Sequence, residues 1–353
     1  MQESDSSWVA AFAIERTGIV PTSDQLPGLA AFLRKRFAAL GCASAEHYAP
    51  RLSDPAELRA LAARLTVPET SFFRFPPLWD ALRTSLLPGF LRSARAQARK
   101  VRVWSAGCCT GEEPYTAAIL AEEAGCQSEL EILATDLNEE YLERAMTGVF
   151  SPRSVRGLPP GLLEKHFQRQ GRDFRLNEAL RKRVRFERLN LADACFPSDR
   201  TRTAGLDMIF CQNVLIYFET RKADDALLRF RDCLRAGGAL ALGPSEIVRP
   251  GGPFVARDIG GAFFHLRRVD EAKAAEPPPP RAERRASPPA APKEETGQDP
   301  ASWLEEAERL ADLGRRAEAE TLCRRACEAR HLDPKTYYLL GLLASAEPAA
   351  ASA

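Results

Sequence analysis

The sequence predicts an α/β fold: a Rossmann-like, mostly parallel sheet, preceded by a helical domain and followed by a linker and a short helical tail. Three observations predict it. Between Val101 and Leu266, short apolar runs at 101–104, 130–134, 184–186, 207–211, 239–242 and 262–266 alternate with helix-like stretches at 112–124, 138–146 and 222–235. Such alternation makes successive strands parallel, because each crossover is a helix. Upstream, apolar residues recur at helical spacing, and downstream eight prolines fall within residues 269–300.

The whole chain sets bounds on this fold. Its 353 residues suffice for two or three domains. A formal charge of +1 with 45% apolar residues points neither to bulk nucleic-acid binding nor to wholesale disorder. No apolar run reaches the roughly 18 residues needed to cross a bilayer, and the first residues, with Glu3 and Asp5, do not form a basic-then-apolar leader. A cytoplasmic protein without membrane insertion is expected. Nine cysteines with no C-x-x-C pair, several beside apolar strands, read as small buried hydrophobes rather than a disulfide framework or zinc site. Histidines 47, 166, 265 and 331 are scattered and suggest no metal centre or catalytic triad.

In chain order, residues 1–66 read as helices, within a domain ending near 75. Leu29, Phe32, Leu33, Phe37 and Leu40 share a face, and Asp54-Pro55-Ala56-Glu57 offers an N-cap, a first-turn proline and a capping-box glutamate. The sheet domain spans 76–268. Within it an insert at about 155–188 contains Phe174-Arg175-Leu176, which suggests small antiparallel strands. From Lys165 to Arg188 it carries nine Lys or Arg against three Asp or Glu. That is either a solvated surface or a dock for an acidic partner, with Arg172, Arg175 and residues 181–183 as the tests.

Residues 269–300 form a proline-rich linker whose composition extends rather than packs. In the tail, 301–353, Trp303 and Tyr337 lie 34 residues apart, as do Ala307 and Gly341, and Gly314, Ala319 and Ala326 are small where packed helices need it. The period resembles a tetratricopeptide array of one repeat and the start of a second, an interaction module. An ordinary helical hairpin is the alternative.

The chemistry concentrates at the end of the first sheet strand. VRVWSAGCCTGEEPY at 101–115 runs from an apolar strand through a turn at Gly107 into a helix. Glycine there lets the backbone approach a ligand at the carboxyl end of a parallel strand. Asp136 closes the second strand, 29 residues after Gly107, and can grip both hydroxyls of a ribose. The turn lacks the third glycine of G-x-G-x-x-G, which disfavours a pyrophosphate-bearing dinucleotide and favours a mononucleoside such as S-adenosylmethionine. Asn190 is placed to hydrogen-bond an adenine edge while Leu191 covers its face.

Six strings, LTVPETSFFR at 65–74, VRVWSAGCCTGEEPY, ATDLN at 134–138, LNL at 189–191, FCQNVLIYF at 210–218 and GPSE at 243–246, together resemble the chemotaxis receptor methyltransferases, the CheR family, over roughly residues 5–268. The resemblance implies a class I S-adenosylmethionine-dependent methyltransferase with a helical N-terminal domain and a small β-subdomain that touches the receptor. It implies methyl transfer to glutamate side chains of the cytoplasmic domain of a methyl-accepting chemoreceptor. Carried over by position, Thr70, Arg74, Glu113, Asp136, Asn190, Leu191, Asn213 and Val214 join Gly107 around the cofactor. Glu113 would meet the methionine amino group and Asp136 the ribose, with Arg74 and Tyr217 nearest the transferred methyl and the incoming carboxylate.

This chain also departs from the family. Pro68 stands where many members have an asparagine, and Gln212 replaces a common arginine. The loop between Phe167 and Phe174 looks shorter than in members that bind a tethering peptide, which implies recruitment without one. A glutamate of pKa near 4.3 is protonated in only about one molecule in 500 at pH 7, so the acceptor needs no general base. The alternative reading is a signalling adaptor that keeps the cofactor but has reduced catalysis and acts through its tail.

Overall fold

The computed structural model describes residues 3–246, 248, 252, 254–267 and, further on, 306, 307, 309, 310, 315, 318, 319, 321 and 322. The chain divides into two compact units, residues 1–276 and 277–353. In the second, Ala307, Leu310 and Ala319 are buried. The proline-rich linker, and the Trp303, Gly314, Ala326, Tyr337 and Gly341 positions behind the 34-residue period, lie outside the described residues.

The first unit opens with helices Glu3–Thr17, Leu26–Leu40 and Pro55–Leu65. They bury Val9, Leu29, Leu33 and Leu61 around Tyr48. Asp54 caps the third helix by accepting from the Ala56 amide at 2.9 Å. Glu57, expected to complete a capping box, does something else: it is buried, accepts from the Tyr48 hydroxyl at 2.9 Å and pairs with Arg36. The hydrogen bond from Arg36 holds its carboxyl below the usual range. A buried carboxylate gains more from a guanidinium than from one exposed amide, so Glu57 ties two helices together instead of closing one.

Among the described residues ten strands follow: β1 (Val101–Ala106), β2 (Leu130–Asp136), β3 (Val149–Phe150), β4 (Phe167–Gln170), β5 (Asp173–Leu176), β6 (Val184–Arg188), β7 (Leu206–Cys211), β8 (Leu234–Leu242), β9 (Phe254–Ile259) and β10 (Ala262–Arg267). Seven form one sheet in the order β6-β2-β1-β7-β8-β10-β9. The first five run parallel, and β10 is antiparallel to both of its neighbours. Helices Glu112–Glu123 and Thr220–Cys233 bury Ile119 and Phe230 in separate clusters of the sheet domain.

Register positions the site. Ser105 lies opposite Ala134 on one side and Phe210 on the other. Two residues further along, Gly107, Asp136 and Gln212 therefore emerge together at the carboxyl edge of the sheet.

The structure corrects the insert. β6 pairs with β2 from Ile132↔Val184 to Asp136↔Arg188, so it belongs to the main sheet. The small sheet is β3-β5-β4 and begins at Val149. The basic run obscured this boundary, since Val184 is buried while Arg185 and Arg188 are exposed. β9 was not legible as a strand because, as an edge strand, it exposes Ala256, Arg257 and Asp258. Seven described cysteines are unpaired, and Cys108, Cys126, Cys211 and Cys233 are buried as expected, but Cys195 is exposed. Among the described residues no group of side chains could hold a metal ion, and no helix is long and apolar enough to cross a membrane.

Candidate functional site

One pocket at the carboxyl edge is lined by Thr70, Arg74, Gly107, Glu113, Asp136, Asn190, Leu191, Asn213, Val214 and Tyr217, with Ile19 and Leu137 among its apolar walls. The candidate cofactor-binding and catalytic residues read from the sequence thus line one pocket. Pro68 lines a neighbouring groove instead.

The turn after β1 is built on Gly107. Its φ is +80°, and a Cβ there would stand 2.5 Å from Val214 Cγ2. The close approach that glycine permits is therefore to the loop after β7. Gly107 and Cys108 donate their amides to the Thr135 carbonyl at 2.8 and 2.9 Å, welding the turn to β2. Cys109, itself left-handed at φ +49°, donates its amide to Asp136 Oδ2 at 2.9 Å, and Asn138 donates to Oδ1 at 2.9 Å. Burial pushes the Asp136 carboxyl up, and these amides pull it back toward ionisation.

Glu113 sits in the first turn of the helix that begins at Glu112. Ser105 Oγ donates to its Oε1 at 2.6 Å and Gln212 Nε2 to its Oε2 at 2.7 Å. Burial pushes its pKa up to about 7 against the lowering effect of both hydrogen bonds. Gln212 thus acts on Glu113. Sequence reasoning missed the link, although both residues flank the carboxyl end of β1.

A second device was missed altogether. Glu246 accepts from the amides of Gly243 (2.6 Å), Asn213 (2.9 Å), Val214 (2.9 Å) and Leu215 (2.7 Å). One carboxylate thereby holds the loop after β7, including Asn213 at φ +58°. GPSE was legible as a matching string, but nothing in it indicated four backbone amides as partners.

Arg74 is set between two left-handed residues, Phe73 at φ +50° and Phe75 at φ +58°. Its carbonyl accepts from Trp79 Nε1 at 2.9 Å, and its Nη1 donates to the Glu69 carbonyl at 2.8 Å. Phe72 is buried against Phe150 and Phe167, edge to face at 4.8 and 5.2 Å. The segment that carries Thr70 and Arg74 is thereby fastened to the small sheet.

The N-terminal helices close the other side. Val20 donates its amide to the Tyr217 carbonyl at 2.7 Å, and Glu219 donates to the Gly18 carbonyl at 2.8 Å. Asn190, which lines the pocket, also takes part in this closure. Its Nδ2 donates to the Arg16 carbonyl and to Asp193 Oδ1, both at 3.0 Å, and its Oδ1 accepts from the Ala192 amide at 3.0 Å. Both amide hydrogens are committed within the protein, leaving a ligand only what remains of Oδ1.

The basic insert divides in two. Arg181 donates to the Thr147 carbonyl at 3.4 Å, Lys182 pairs with Glu178 at 2.7 Å, and Arg183 donates to the Gln127 carbonyl at 3.4 Å. This triplet is engaged locally, whereas Arg172 and Arg175 are exposed on the small sheet's hairpin.

A mostly parallel sheet with one reversed strand, β10, next to its edge, an acid closing β2 and a glycine turn after β1 together define a class I S-adenosylmethionine-dependent methyltransferase. The chain belongs to the CheR methyltransferase family. The family model described as "CheR methyltransferase, SAM binding domain" matches residues 68–256, and S-adenosylmethionine is the cofactor. The chain is 32% identical over 341 residues to the "Probable biofilm formation methyltransferase WspC" of Pseudomonas aeruginosa, covering 88% of this chain and 79% of that protein. It is 34% identical over 220 residues to a "Chemotaxis protein methyltransferase" of Listeria monocytogenes, covering 62% and 79%. Among solved structures, the DhpI–SAH complex aligns at 17% identity over 62% of this chain and 78% of that one, with a TM-score of 0.26.

Proposed function

We propose that this protein transfers a methyl group from S-adenosylmethionine to glutamate side-chain carboxylates on the cytoplasmic domain of a methyl-accepting chemoreceptor, producing methyl esters that tune signalling. The observation that carries this reading is Arg74, anchored by its own backbone in the same pocket as Asp136, Glu113 and Tyr217. A guanidinium has five donors, and one held on a carbonyl leaves others for an incoming carboxylate. The name of the Listeria relative supports a chemotaxis setting, while that of the Pseudomonas relative supports methyl transfer and ties it to biofilm formation.

The pocket fits the cofactor. Asp136 takes the ribose hydroxyls with the lone pairs its two amide partners leave free. Glu113, once ionised, pairs with the amino group, while Leu191, Val214 and the Gly107 turn bound the adenosine. Thr70 and Asn213 complete the polar lining. The cofactor, when bound, supplies a methyl group already activated on a sulfonium. Arg74 draws in and orients the acceptor carboxylate, and Tyr217 turns it as a weaker donor that leaves its nucleophilicity intact. No side chain has to remove a proton, because the acceptor is already ionised at neutral pH. The remaining work is alignment, worth several kcal/mol when reacting atoms are held in place.

The test is incubation of the purified protein with methyl-labelled S-adenosylmethionine and membranes bearing the same organism's chemoreceptors. Label released by alkali as methanol is the expected result. Alkali-stable label would assign another acceptor atom. Cofactor binding with no label on any of those receptors would favour an adaptor that keeps the cofactor and works through its tail.

A further inference from the structure

Beside the cofactor pocket runs a groove that shares Glu69, Thr70, Ser71 and Arg74 with it. Its lining also includes Arg144, from the helix Glu139–Thr147, and Arg153 and Arg156, at the entrance to the small sheet. All three are exposed. Among the described residues none of the three side chains has an ion-pair or hydrogen-bond partner. The other contributors are the hydroxyls of Thr110, Ser151 and Ser154 together with Pro68, Glu112 and Gly157. Two acids belong to the lining: Glu69 is exposed, and Glu112 is buried, accepts from Thr110 Oγ1 at 2.7 Å and has its ionised form favoured by the Arg144 charge, so they offset only part of the positive charge of Arg74, Arg144, Arg153 and Arg156.

The groove is joined firmly to the site. Phe72 donates its amide to the Ser154 carbonyl at 2.9 Å, and Gly157 comes so close that a Cβ there would lie 2.5 Å from the Phe72 carbonyl oxygen. The loop bearing Arg153 and Arg156 is thus coupled through backbone contacts to the segment bearing Thr70 and Arg74.

Unpaired guanidinium groups gathered along one groove repel each other and attract an anionic partner. Their planar forks suit carboxylates, and the groove has no aromatic side chain on which a nucleic-acid base could stack. We infer that the groove seats an acidic polypeptide segment, with Arg144, Arg153 and Arg156 gripping carboxylates that flank the accepted glutamate. This rests on the function proposed above and names what selects the acceptor: a glutamate with further acids beside it reaches Arg74, and an isolated one does not.

The experiment uses the full chain with S-adenosylhomocysteine present and a fluorescein-labelled helical peptide bearing glutamates three and four residues apart. Its binding is measured by anisotropy at two salt concentrations. The Arg144→Gln, Arg153→Gln, Arg156→Gln triple variant is expected to bind about tenfold more weakly, as the loss of several exposed ion pairs allows, and with a shallower salt dependence. S-adenosylhomocysteine affinity should stay unchanged in that variant. An equal charge change at Arg83, Arg92 and Lys100, outside the groove, should alter peptide binding less than twofold, within the scatter of exposed pairs. Wild-type affinity in the groove variant, no peptide binding by the wild type, or displacement of the peptide by a lower concentration of single-stranded oligonucleotide would each overturn the inference. Failure of the wild type to methylate any receptor would instead sink the proposed reaction, while the peptide measurement would still decide what the groove binds.

Discussion

At the scale of single residues, the site depends on carboxylates whose partners differ sharply. Glu113, with its pKa near 7, is about half ionised at neutral pH. Only the ionised form attracts an ammonium group, so S-adenosylhomocysteine affinity should rise several-fold from pH 6 to pH 7.5. Glu113→Gln should flatten that profile and weaken binding by about 2 kcal/mol, the scale of one charged hydrogen bond. Calorimetry across that range checks both, and a flat wild-type profile would remove Glu113 from the amino-group role. Glu246 is the structural counterpart. Glu246→Gln replaces one of two accepting oxygens with a donor among four amides, so it should lower stability by about 2 kcal/mol and weaken cofactor binding with it. A thermal melt with and without S-adenosylhomocysteine separates the two effects. Asp136, Glu113 and Arg74 were legible in the sequence because of their places beside strands and turns. The partners of Glu57, Asn190 and Glu246 were not, because each reaches a residue distant in sequence or a backbone amide that carries no sequence signal.

At the scale of elements, the turn after β1 and the loop after β7 behave as one unit through Gly107 and Val214. Gly107→Ala adds a methyl group 2.5 Å from Val214 Cγ2 at a φ of +80°. The expected result is at least about a tenfold loss of cofactor affinity, from left-handed strain of about 1 to 2 kcal/mol plus the displaced loop, with far-ultraviolet circular dichroism unchanged. Retained affinity would show that Val214 can move aside without consequence. Strand positions followed apolar runs closely where both faces of the sheet are covered, as in β1, β2 and β7. The signal failed at the margins. β9 is an exposed edge, and β8 begins at Leu234 with Arg235, Ala236 and two glycines before its apolar run. The ladder to β10 runs the whole length of β9, whereas β8 carries a register shift between Leu234 and Ala239.

At the scale of the whole molecule, every residue of the proposed site lies within the first compact unit, 1–276. A chain ended after Glu276 should therefore keep S-adenosylhomocysteine affinity within about twofold, since none of the lining residues is removed. Any larger change, measured by calorimetry, would assign the tail a part in cofactor binding. The sequence by itself determined the class of fold and the cofactor edge, because helix and strand periodicity and the glycine turn are local properties of the chain. The tertiary structure decided the sheet order, the membership of β6, the Glu246 clamp on four amides, the Gln212–Glu113 bond and the arginine groove beside Arg74. Each of these joins residues far apart in the chain, and only packing the strands and the N-terminal helices against one another brings them within hydrogen-bond or Coulomb range.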